Sequence, residues 1–183
     1  MHVENSVIAI FGRLDGADAA VKKLIADGLD KKNISIVGQG YHADKQVFGF
    51  YTGGDHIQFW GERGALWGGL WALFAGGAFL TVPSVGNVVA LGYFATTLII
   101  AISKAGVGGE LGLLGAGFFS LGIPKDIIVK YESAVRADSF VVMACGDAEQ
   151  MTQARKTLAE ASACRIDGIV ERPTREALMA GAA

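Results

Sequence analysis

Residues 61–123 read GERGALWGGLWALFAGGAFLTVPSVGNVVALGYFATTLIIAISKAGVGGELGLLGAGFFSLGI, and the fold of the chain turns on how this stretch is understood. Its charged residues are Glu62, Arg63, Lys104 and Glu110. It holds 15 of the chain's 26 glycines, so it differs in kind from the two flanks. Read as helices it divides into three apolar segments, 64–82, 85–103 and 105–123. Each would extend roughly 28 Å at about 1.5 Å per residue, close to the ~30 Å core of a bilayer. Pro83-Ser84 and Gly86-Asn87 supply one break. Lys104, Gly106 and Gly108-Gly109 supply the other. The sequence therefore predicts a transmembrane-type helical insertion.

The small residues recur at helical spacing. Gly64, Gly68, Ala72 and Gly76 form one line, and Gly108, Gly112, Ala116 and Ser120 form another. Such lines let helix backbones approach closely inside lipid. They predict that the first segment packs on the third, within a subunit or between subunits. Trp60, Trp67 and Trp71 share one side of a helical wheel, as expected of aromatics at a membrane interface or a subunit contact.

The flanks look like ordinary soluble sequence. Residues 6–11 read as a buried strand. A helix opens at Asp15 or Gly16, with Ala19, Ala20, Leu24 and Ile25 on its apolar face, and stops at Gly28. Residues 33–37 form a second strand. Residues 45–52 extend as a short third strand or arm, and Asp55 caps a helix that runs into the first apolar segment. Beyond the insertion, Pro124 opens a helix through Arg136 with Ile127, Ile128 and Tyr131 on one face. Residues 139–144 form a strand, and a helix follows from Asp147 or Thr152. Residues 165–170 form the last strand. Two βαβ halves predict an α+β chain, a ferredoxin-like α/β sandwich split by the insertion. The expected divisions are 1–60, 61–123, 124–171 and a loose tail at 172–183.

This arrangement constrains topology. A sheet built from both halves requires the insertion to return to the side it left, so an even number of crossings is expected, with 85–103 as the non-spanning piece. Ile8, Phe140 and Val142 are expected to share one core. Removal of residues 61–122 is expected to leave a self-sufficient domain.

Composition narrows the function classes. A net charge of −2 provides no basic field, so nucleic acid is not expected as a partner. Cys145 and Cys164 form no CxxC motif and suit a reducing compartment. The N-terminal residues lack a basic, then apolar signal pattern, and the soluble halves are expected in the cytoplasm, on the inner membrane. No Ser/His/Asp or Cys/His set and no phosphate-binding glycine fingerprint is present, so neither an enzyme nor a cofactor is expected. His42, with Asp44, and His56 place two imidazoles before the insertion, short of the three or four convergent ligands a metal needs. Lys104 and Glu110 either border a polar path or lie at the turn between segments.

Several motifs carry a family resemblance: Val47-Phe48-Gly49-Phe50-Tyr51, Gly54-Asp55, Phe59-Trp60-Gly61, Trp67-Gly68-Gly69-Leu70-Trp71, Val82-Pro83 through Gly86, Leu121-Gly122-Ile123-Pro124-Lys125, and Lys130-Tyr131-Glu132. Over roughly residues 5–171 the chain resembles the general stress protein 17M-like, or YflT-like, family of bacterial membrane proteins. The resemblance implies a membrane location and a link to stress, with no activity or catalytic residues to carry over. The expectation is a membrane-embedded homo-oligomer of structural or membrane-modulating role, with the lipid bilayer as partner. The alternatives are an oligomeric channel with a cytoplasmic sensor domain, and a soluble self-assembling particle that buries its apolar helices.

Overall fold

The structure is a computed structural model that describes residues 5–40, 49–52, 61–74, 76–82, 86–105, 112–121 and 123–169. Its strands are β1 (Asn5–Phe11), β2 (Ile34–Gln39), β3 (Gly49–Thr52), β4 (Gly76–Val82), β5 (Gly86–Gly92), β6 (Phe140–Gly146) and β7 (Arg165–Ile169). Its helices are α1 (Leu14–Ala26), α2 (Gly61–Phe74), α3 (Tyr93–Ala105), α4 (Gly112–Ser120), α5 (Lys125–Arg136) and α6 (Ala148–Glu160). The strands form one seven-stranded sheet in the order β3-β4-β5-β2-β6-β1-β7, every neighbour antiparallel.

The four strands of the flanks, β7-β1-β6-β2, lie together, as a domain split across the insertion requires. The chain is thus α+β with an antiparallel sheet. Alternation along each strand sends side chains to two separate cores. Val7, Ala9, Phe11, Phe140, Val142 and Ala144 face one. Ile8, Val141 and Met143 face the other. Ile8 therefore does not share a core with Phe140 and Val142, contrary to expectation. In the β1–β6 register Ile8 is opposite Met143 and Phe11 opposite Phe140, so the odd and even positions part to opposite faces. Helices cover both faces, which explains why β6 is an unbroken apolar run from Phe140 to Cys145 rather than an alternating one.

The insertion is where reading and structure separate. The segment at 64–82 is helical only to Phe74, and β4 follows from Gly76. The segment at 85–103 begins as strand β5 and turns into helix only at Tyr93. The segment at 105–123 contributes the nine-residue α4. Two physical reasons account for the change. Gly76-Gly77 is a poor helix interior, and the residues beyond it, including Phe79, Thr81, Val88 and Val89, suit a strand. Those strands also find partners: β4 and β5 pair as a hairpin, and β5 continues the sheet from β2. Gly92 makes the switch from strand to helix. Its φ is +84°, and a Cβ there would lie 2.1 Å from the Ile34 carbonyl oxygen. The Ser35 hydroxyl then accepts the Phe94 N–H at 3.0 Å, satisfying one of the free donors at the start of α3.

The described helices of the stretch are short. The longest described helix of the stretch, α2, has 14 residues, or about 21 Å at 1.5 Å per residue, short of the ~30 Å core. Among the described residues no helix is long and apolar enough to cross a membrane.

The insertion also supplies both helical layers. Trp67, Leu70 and Trp71 of α2 join the core formed with α1 and α6. Phe94 and Leu98 of α3 and Leu114 and Phe118 of α4 join the core formed with Ile128, Tyr131 and Val135 of α5. The helices of the first and third segments, α2 and α4, join different cores on opposite faces of the sheet. The stretch is also continuous with the sheet of the flanks, since residues 35–39 of β2 pair with β5. The flanks follow the reading more closely. Asp147 caps α6 in a reciprocal box with Gln150. Pro124 is the N-cap residue of α5 and the helix starts at Lys125. On α1, Ala17, Val21 and Leu24 pack inward while Ala19 faces out. The helix expected to start at Asp55, the first part of the arm at 45–52 and the tail at 172–183 lie outside the described residues.

Candidate interaction face

The layer formed by α3, α4 and α5 has a well-packed inner side and an outer side on which large apolar residues are exposed. Inside, the Phe94 and Phe118 rings stack with centroids 4.7 Å apart. Phe118 also meets Tyr131 at 5.6 Å. On α4, Leu114, Gly117, Phe118 and Leu121 point inward, the i, i+3, i+4, i+7 spacing of one helix face. Gly117 permits the close approach of α3 and α4: a Cβ there would lie 2.6 Å from Leu98 Cδ1 and 3.3 Å from the Phe94 ring. The Glu132 carboxylate of α5 accepts the Gly115 N–H at 2.8 Å, tying α5 to α4.

A polar network closes the β7 edge of this layer. The Tyr131 hydroxyl donates to Asp167 at 3.0 Å. Arg165 donates two hydrogen bonds to the same carboxylate, at 2.7 and 3.0 Å. Burial, reinforced by the Asp167 charge, raises the Tyr131 pKa above its ordinary value. The hydrogen bond from Arg165, opposed in part by burial, holds Asp167 below the usual carboxylate range. A neutral phenol and a carboxylate in these states serve structure.

The outer side carries the exposed large apolar residues Ile100 of α3, Phe119 of α4 and Val129 of α5, at 39%, 51% and 58% exposure. All three fall in this one layer, whereas the layer of α1, α2 and α6 contributes none among the described residues. Lys125 lies over the Phe119 ring at 5.9 Å. The α4 sequence GLLGAGFFS has no charged residue on any side.

The structure distributes the sequence-predicted residues unevenly. Gly64 and Gly68 lie on α2 and Gly76 on β4, so the first small-residue line breaks after Ala72. Gly68 has no atom within 4 Å of a hypothetical Cβ, and Ala72 is exposed. At Gly68 and Ala72 the line thus lies on the outer side of α2, away from the described core. In the second line Gly112 opens α4, Ala116 is half-buried, Ser120 closes the helix, and Gly108 lies outside the described residues. The glycine that matters for packing, Gly117, is on neither line.

Trp67 and Trp71 are core residues rather than a surface belt. The Trp67 indole N–H donates to the Gln39 carbonyl at 3.2 Å, and its ring meets Phe140 at 6.0 Å. Lys104 lies in the last turn of α3. Trp60, Glu110, His42 and His56 lie outside the described residues. No group of three or more His, Cys, Asp or Glu suited to a metal occurs among the described residues.

A cavity of about 380 Å³ opens between the end of α1 and the start of α6, lined by Leu24, Asp27, Asp147, Gln150 and Thr157 among others. Four of its polar residues bond one another in pairs. Thr157 donates to Asp27, and Asp147 and Gln150 cap each other.

Sequence reasoning missed Phe119, Ile100 and Val129. A signal existed on α5, where Ile128 and Tyr131 define the inner side and leave Val129 as an apolar residue facing away.

Compared with models of known protein families, with curated proteins and with solved structures, the chain matches none.

Proposed function

We propose that this chain is a non-catalytic, self-associating module whose working surface is the outer side of the α3–α4–α5 layer. One observation carries the reading: Ile100, Phe119 and Val129, three exposed large apolar residues, all fall in that layer. Clustered apolar exposure marks an interaction site, whereas single exposed residues are ordinary. The split α/β part, in the strand order β7-β1-β6-β2 with α1 and α6 on one side, is read as a ferredoxin-like unit whose sheet the inserted strands extend. Homo-oligomerisation by apolar helices agrees with the soluble self-assembling reading of the sequence.

A second reading places the same face against lipid at the inner side of the cytoplasmic membrane. The all-round apolar α4 supports it, because such a helix belongs in a core or in a bilayer. The resemblance to stress-associated membrane proteins supports it too. The role then is membrane-modulating, with α4 seated at the interface instead of spanning. A channel reading has less to draw on, since its polar candidates are Lys104, Glu110, Thr96 and Thr97.

Light scattering coupled to size-exclusion chromatography, with and without detergent, tests the proposal. The expected result is a discrete oligomer in the absence of detergent. A monomer that binds a detergent micelle would favour the lipid reading. A detergent-free monomer would overturn both.

A further inference from the structure

A strip on the outer side of α5, flanked by the exposed Lys125 and Lys130, is complementary to itself. Asp126, Val129, Ser133 and Arg136 are all exposed, and at 100° per residue they fall within about 80° of one another on the helix. In chain order they place an acid at the start, an apolar residue and a small one in the middle, and a base at the end. Neither Asp126 nor Arg136 makes an ion pair among the described residues, so both charges are available to a partner. The Ser133 hydroxyl donates to its own Val129 carbonyl at 2.7 Å, so covering it strands no hydrogen-bonding group.

We propose that a second copy of this chain docks on α5 in antiparallel orientation, about a two-fold axis passing at the level of Tyr131. This rests on the self-association proposed above and names the contact that produces it. A two-fold interface uses the same patch on both copies, so a residue i that meets j also meets it in reverse. An axis at position 131 sets Asp126 of each copy opposite Arg136 of the other. It also sets each Val129 beside the other copy's Ser133, where a small residue makes room for a branched one. The charge order specifies the antiparallel arrangement, because a parallel copy would set like charges side by side. The end of α5 that carries Asp126 also carries Phe119 of α4, held beside Lys125. The partner's Arg136 arrives at an end that holds the Asp126 carboxylate, which attracts a guanidinium.

Charge reversal tests the contact, because all the substituted side chains are exposed and the fold is not at stake. By sedimentation equilibrium without detergent, Asp126→Arg or Arg136→Asp is expected to weaken dimerisation by about tenfold or more, since each converts two attractive pairs into two repulsive ones. The double variant Asp126→Arg/Arg136→Asp restores both pairs and is expected to return to within about threefold of wild type. Circular dichroism verifies that each variant is folded. An oligomeric wild type whose affinity is the same in all three variants overturns this contact and leaves self-association standing. A wild type that is monomeric and floats with phosphatidylcholine–phosphatidylglycerol vesicles assigns the face to lipid and overturns both.

Discussion

Helices α2 and α4 come from the same glycine-rich stretch and both carry small residues at every fourth position, yet they meet opposite fates. On α2 the bulky residues Trp67, Leu70 and Trp71 do the packing, and Gly68 and Ala72 face outward. On α4 a glycine outside the repeat, Gly117, is pressed against α3. A recurring small residue therefore does not by itself mark a packing face. What marks one is the presence of a neighbour within reach, and the sheet decides where neighbours are. The two helices lie on opposite sides of that sheet, which the repeat could not reveal.

The largest test removes both helices at once. Deletion of residues 61–122, bridged by a Gly/Ser linker, takes α2 from one core and α3 and α4 from the other, and strips β5 from β2. The expected outcome is a chain without a cooperative thermal transition at any linker length. A cooperative melt would show that the flanks are self-sufficient and that the two layers are additions.

Single cores can be emptied separately. Trp67→Ala removes a wholly buried ring and the hydrogen bond to the Gln39 carbonyl, and is expected to cost about 3–5 kcal/mol in urea denaturation. A loss below about 1 kcal/mol would place α2 at the periphery.

The contrast between the two glycine environments predicts opposite signs. Gly117→Leu overfills the α3–α4 contact and is expected to destabilise by about 1–3 kcal/mol. Gly68→Ala adds a methyl where nothing stands within 4 Å, and is expected to stabilise by up to about 1 kcal/mol through helix propensity. Equal destabilisation by both in a concentration-independent melt would show that α2 is packed on its outer side within the chain.

The smallest effect concerns pH. The raised Tyr131 pKa contributes stability that is present below the ordinary tyrosine value of about 10 and is lost as pH rises toward the raised value. The lowered Asp167 pKa contributes stability that is present above the ordinary carboxylate value of about 4 and is lost as pH falls through the lowered one. Tyr131→Phe is expected to cost about 1 kcal/mol at neutral pH and to flatten the alkaline fall, as read from melting temperatures across pH. An unchanged alkaline limb would assign that fall to other groups.

Much of the fold was legible because it depends on local signals. The strands around Ile8, Ile36 and Val142 stand between turn residues as apolar runs, and Asp147 with Gln150 announces the start of α6. Their pairing across the insertion was legible as well, because two βαβ halves with buried strands cannot each complete a sheet alone. The fate of 76–92 was not. Uninterrupted apolar sequence satisfies a lipid-facing helix and a strand covered on both faces equally well, and periodicity cannot separate them. The face at Ile100, Phe119 and Val129 was hidden for the same reason, since in an apolar stretch inward and outward residues look alike.

The α+β class and the order of the flanking elements could be read from the residues alone, because turns and caps are written locally. Only the tertiary structure decided that the apolar stretch is part of the sheet and of both helical layers, because the free backbone edge of β2 is a partner that no window of the sequence contains.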